Sequence, residues 1–223
     1  MKKVISTCLF GSSPLSYNRY AVHAPESAAF CKKNMPGWKF RVYHDSTVNK
    51  QILNELRKNE IAELIQMPDS RGREGCFWRF LAFDDCDVAV CRDLDWKLQQ
   101  NDIDVINAWE KTDSIVHFLW VAQPRKLTKT NRYYMAGCVA ARNLPFKIAD
   151  LISEYSDDKS LFGADEWFLG NYFVPKVLQY QEKIPLYVEP QPKLIPMGKT
   201  KEYVELFPEK EEYIYLPKNY VGI

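Results

Sequence analysis

Two aspartates one residue apart, Asp93 and Asp95 in "DVAVCRDLDWKL" (87–98), stand directly behind a short apolar run, with Arg92 beside them. In extended chain, residues i and i+2 face the same way, so the two carboxylates can share one cation. Carboxylate oxygens suit a hard divalent ion, Mn²⁺ or Mg²⁺. Two carboxylates rarely fill such a shell, which leaves positions for water and for a ligand's phosphate. A guanidinium at Arg92 matches phosphate oxygens in geometry and adds charge for a diphosphate. The plain alternatives are a solvated acidic turn for Asp93 and Asp95, and an ion pair with Asp87 for Arg92.

The elements that must position these groups alternate along the chain. Strand patterns run over 2–11, 39–45, 61–67, 87–93, 114–122, 133–143 and 184–190. Helical patterns fall at 25–34, 49–59, 76–85, 101–111, 145–156 and 164–178. The helix at 25–34 opens with Pro25 and Glu26 and closes with Lys32 and Lys33, the charge order a helix dipole favours. "PDSRGREG" (68–75) is a charged, Gly-containing loop. Strands alternating with helices predict an α/β fold with a mainly parallel central sheet flanked by helices. In such sheets ligands bind outside the carboxyl ends of the strands, which is where "CRDLD" stands.

Length and composition narrow the classes. At 223 residues the expectation is one domain over 1–223, with 198–223 wrapping it or beginning a linker. A net charge of +1 gives no support to a nucleic-acid partner. Six cysteines without a C-x-x-C pair argue against a zinc ribbon and for a reducing compartment, the cytoplasm. "MKKVISTCLFG" has basic residues before an apolar run, but Ser6 and Thr7 break it, and a first strand explains it better than a leader. No run reaches the ~20 apolar residues of a membrane helix, so a soluble protein is expected.

Four segments, "FGSSPLSYNRYAVHAPESAAFCKKNMPGWKFRVYHD", "GREGCFWRFLAFDDCDVAVCRDLDWKL", "MAGCVAARN" and "FGADEWFL", resemble the GT-A-fold glycosyltransferases, and in particular the small chlorella-virus-type enzymes. The resemblance covers most of residues 1–180. It implies transfer of a sugar from a nucleotide-sugar donor, by default a UDP-sugar, to the hydroxyl of a glycan or other acceptor, and it admits a viral protein in a host cytoplasm. By the same resemblance Thr7, Phe10, Gly11 and Tyr17 cradle the nucleotide. Asp93 and Asp95 hold Mn²⁺, with Asp93 also meeting the donor. Arg73, Trp78 and Arg79 lie across the donor, and Asp165 and Glu166 face the sugar and the acceptor. Three departures stand out: Trp96 where a Ser is more usual, "MAGCVAA" in place of a more Gly-rich segment, and no late histidine for the metal among His23, His44 and His117.

The chemistry implied is loss of a diphosphate leaving group, whose charge a metal stabilises as it forms. Inversion of configuration calls for a carboxylate base at the acceptor oxygen, first Asp165 and then Glu166. Retention leaves Asp165 to orient the sugar. Each residue also has a structural reading: Asp165 as a helix cap, Trp78 and Phe10 as core, Arg79 paired with Asp84 or Asp85, Arg73 solvated. The alternatives in function are a nucleotidyltransferase acting on a sugar phosphate and a non-catalytic sugar-binding module.

Overall fold

A computed structural model describes residues 1–11, 20–94, 97–121, 136–182, 184–188 and 213–216. The chain forms β1 (Lys3–Leu9), α1 (Ala24–Asn34), β2 (Trp38–His44), α2 (Lys50–Arg57), β3 (Ala62–Gln66), a 3₁₀ segment Glu74–Leu81 leading into α3 (Ala82–Asp85), β4 (Val88–Arg92), α4 (Gln100–Glu110), β5 (Val116–Val121), β6 (Cys138–Arg142), α5 (Ile148–Glu154), α6 (Ala164–Phe168), a π turn Leu169–Phe173, α7 (Val174–Val177), β7 (Ile184–Val188) and β8 (Tyr213–Leu216). Among the described residues eight strands make one sheet in the order β3-β2-β1-β4-β6-β5-β7-β8. β6 and β8 run against the others, so the expectation of a mainly parallel sheet holds. Of the C-terminal 198–223 stretch, only β8 lies within the described residues.

Two apolar layers sandwich the sheet. One packs Ile5, Leu9, Val88 and Val90 against α1, α2 and α4, through residues such as Cys31, Leu56 and Ile106. The other packs Ala89 and Cys91 against the 3₁₀ segment and the helices from Ile148 to Val177. Strand side chains alternate between faces, so each residue's parity along β1 and β4 decides which layer it enters.

Local sequence accounts for the frame around the site. Asn49 caps α2, its side chain accepting from Gln51 N at 2.7 Å. Gln99 and Asp102 form a capping box at the start of α4. Residues 76–85, expected as an α-helix, are mostly 3₁₀. The reason lies in their aromatic spacing: Phe77, Phe80 and Phe83 recur every third residue at 6.2 Å centroid distances, the first pair edge-to-face and the second stacked. A three-residue turn brings such positions onto one buried face.

Candidate functional site

The site is built at the carboxyl ends of β1 and β4, around one buried guanidinium. Arg79 is only 1% exposed. Its main-chain carbonyl is pinned from both central strands, by Ser6 Oγ of β1 at 2.7 Å and by the Cys91 thiol of β4 at 3.3 Å. Its side chain reaches up to two carboxylates at once, with Nη1 donating to Asp93 Oδ1 and Nη2 to Asp165 Oδ2. Burial works against the charge, but the two carboxylates overcome it and hold the guanidinium protonated well above its ordinary range. Arg79 Nε has no acceptor among the described residues. The Asp93 side chain is 41% exposed and that of Asp165 12%, so the bridge runs from the core towards solvent.

Asp165 sits in the first turn of α6 behind Gly163, whose φ of 78° lets the chain turn sharply into the helix. Its second oxygen accepts from Glu166 N at 3.0 Å. The adjacent Glu166 is a helical step of about 100° away from Asp165, the acid that bonds Arg79, so the two acids are not equivalent. Arg79 is thus not a surface partner of Asp84 or Asp85. Asp84 instead caps α5, accepting from Ile148 N at 2.6 Å and Ala149 N at 3.0 Å, and Asp85 pairs with Lys2 and Arg41.

Arg92 corrects the expectation that its guanidinium faces a diphosphate. One residue before Asp93 on the strand, it points to the opposite side of the sheet. There Nη2 lies 3.3 Å and 3.5 Å from the two oxygens of the buried Asp102, and Nη1 donates to the Gly137 carbonyl at 3.3 Å and to Cys138 Sγ at 2.9 Å. Asp102 is therefore shared between this ion pair and the cap of α4. The alternative pairing of Arg92 with Asp87 is not made either; Asp87 accepts from Lys2 N.

The remaining expected residues divide between the rim and the interior. Phe10 leaves the end of β1 and meets Trp78 edge-to-face at 5.8 Å. Gly75 lets it do so, since a Cβ there would overlap the Phe10 ring. Trp78 is half-buried in this contact, and Gly11 is exposed with φ 83°. Arg73 is exposed and lies over the Phe162 ring at 4.5 Å. Thr7 is buried on the α1 and α4 side, its hydroxyl without a partner among the described residues. Tyr17, Asp95 and Trp96 lie outside the described residues. His44 Nδ1 is 3.1 Å from the Asp45 carbonyl, and His117 stacks on Trp109 inside the sheet.

Three contributors were not singled out from sequence. Ser6 pins Arg79. Gly137 packs under Asp93. Asp45, buried at the end of β2, closes a turn by accepting from Thr47 N and Ser70 N at 3.0 Å and 3.3 Å. "HDST" is a recognisable Asx-turn signal, whereas nothing local marks Ser6 or Gly137.

Among the described residues no group of three or more His, Cys, Asp and Glu side chains gathers in a form that could hold a metal. What they do provide is Asp93, a half-exposed hard-oxygen donor at a strand end with one oxygen engaged by Arg79. That suits one position in a Mn²⁺ or Mg²⁺ shell.

No family model and no curated protein matches the sequence. Among solved structures the chain is similar to two crystal structures of S. aureus TarS 1–349, the second in complex with UDP. Each match has a TM-score of 0.51 at 14% identity over 83% of this chain, and covers 58% and 57% of TarS respectively. The chain thus spans little more than half the length of those structures. At that identity the likeness speaks for the fold, which is α/β and GT-A-like.

Proposed function

We propose that the protein is a nucleotide-sugar-dependent glycosyltransferase whose donor site lies at the carboxyl ends of β1 and β4. The observation that carries the proposal is the Asp93–Arg79–Asp165 bridge. A buried guanidinium that holds two carboxylates from distant parts of the chain is costly to assemble and gains little stability over apolar packing. Its position at the strand ends of a GT-A-like sheet gives it a use, and the UDP complex of TarS supports a uridine nucleotide as the ligand.

In this reading Asp93, together with Asp95, holds a divalent ion, which supplies charge stabilisation for the departing diphosphate. Phe10 and Trp78 form an aromatic edge beside the nucleotide. Asp165, with both oxygens already accepting bonds, presents a carboxylate of fixed orientation to the transferring sugar or the acceptor hydroxyl. Arg79 does not touch the donor; it sets the positions of the two carboxylates that do. The test is UDP release from a panel of UDP-sugars with Mn²⁺, with and without simple sugar acceptors. Turnover of one donor by the wild type and its loss in Asp165→Asn support the proposal. A panel without turnover, from protein that is folded, overturns it.

A further inference from the structure

We propose that Gly137 is a positioning residue for Asp93, and that its missing side chain lets the Asp93 carboxylate sit against Arg79; the inference rests on the donor-site reading above. The Gly137 carbonyl accepts from Asp93 N at 3.2 Å and from Arg92 Nη1 at 3.3 Å, so its peptide is tied to the end of β4 by main chain and side chain together. The Asp93 side chain then lies directly over the Gly137 Cα. A Cβ at residue 137 would stand 2.7 Å from Asp93 Cβ and would overlap its Cγ and Oδ2 more severely still.

Space, not backbone conformation, demands the glycine. The positive-φ glycines of the described chain are Gly11, Gly37, Gly72 and Gly163, and Gly137 is not among them. The preceding residue, Ala136, is buried and accommodates its methyl group in the core. The constraint is therefore confined to the one residue that underlies the carboxylate. Nor can Asp93 give way without consequence. Its Oδ1 is bonded to Arg79, which holds Asp165 with its other nitrogen. A methyl group at 137 pushes Asp93 off the guanidinium and unlinks the two carboxylates.

The contact predicts a specific coupling between positions 93 and 137. Wild type, Gly137→Ala, Asp93→Gly and the double variant are unfolded thermally and titrated with UDP in the presence of Mn²⁺. Asp93→Gly is chosen because an alanine would keep the Cβ that clashes. The expectation is that Gly137→Ala lowers the melting temperature by about 3 °C or more in the Asp93 background and by much less in the Asp93→Gly background. Folded Gly137→Ala should also bind UDP at least tenfold more weakly than wild type. Should Gly137→Ala fail to fold, recovery of folding in the double variant supports the contact, and its failure overturns it. Equal shifts in both backgrounds, or wild-type UDP affinity in Gly137→Ala, overturn the proposal. Wild type that binds no UDP sinks the donor-site reading instead, and the unfolding cycle alone then decides whether Gly137 holds Asp93.

Discussion

Two arginines stand at the business end of β4, and their surroundings differ in kind. Arg92 turns into the layer beneath α4 and pairs with Asp102, which is fully enclosed and also caps that helix. Arg79 comes up from the opposite layer and pairs with Asp165, whose side chain is only 12% exposed, and with Asp93, which at 41% opens towards solvent. Both guanidiniums are buried and both are held charged against the cost of burial by neighbouring carboxylates. The difference lies in the acids: Asp102 is sealed into the frame, whereas Asp93 is half-exposed at a strand end. Burial of a charge therefore marks neither role; the exposure of its partner separates a structural pair from a candidate site.

The largest effect expected from this contrast is on the sealed side. Arg92→Met leaves Asp102 buried without its counter-charge and should cost about 3–5 kcal/mol of stability, read from urea unfolding. The folded fraction should keep wild-type UDP affinity. A loss of nucleotide binding at unchanged stability would reverse the two assignments. On the open side, Asp165→Asn preserves shape and should lower turnover about a hundredfold, or ~2.7 kcal/mol, with UDP affinity changed less than about threefold. Steady-state kinetics beside calorimetry separate the two quantities.

A smaller effect belongs to the frame alone. Asp84→Ala removes the acceptor of two main-chain N–H groups of α5 and should cost about 1 kcal/mol without altering nucleotide affinity. The smallest concerns pH. Partial burial pushes the Asp85 carboxyl up, but its bonds with Arg41 and Lys2 outweigh this and bring it down to about 2. A folded pKa below the unfolded value means stability that is present above pH ~4 and is lost as pH falls towards 2. Asp85→Asn should flatten that part of the acid-unfolding curve and leave pH 7 binding untouched.

Much of the frame was legible in the sequence. The alternation of strand and helix patterns, the charge order of α1 and the strand-end position of Asp93 follow from local periodicity and chemistry. What was not legible is long-range or depends on parity. Arg92 and Asp93 are neighbours in sequence, yet the alternation of a strand sends them to opposite layers, and the diphosphate role expected of Arg92 ignored that rule. The bridge from Arg79 to Asp165 joins residues 86 apart, and no spacing rule reveals it. Residues 76–85 did carry a signal for 3₁₀ structure in the three-residue spacing of their phenylalanines, which a helical reading passes over. Gly137 looks like any glycine before a strand until Asp93 is seen above it.

Calorimetric titration of UDP, with and without Mn²⁺, into wild type, Asp93→Ala and Arg92→Met decides whether the strand-end site holds a nucleotide. Wild type and folded Arg92→Met should bind UDP in a Mn²⁺-dependent way, and Asp93→Ala should not bind it. Binding that survives in Asp93→Ala, or that is absent from wild type, rules out Asp93 as the anchor of a nucleotide site.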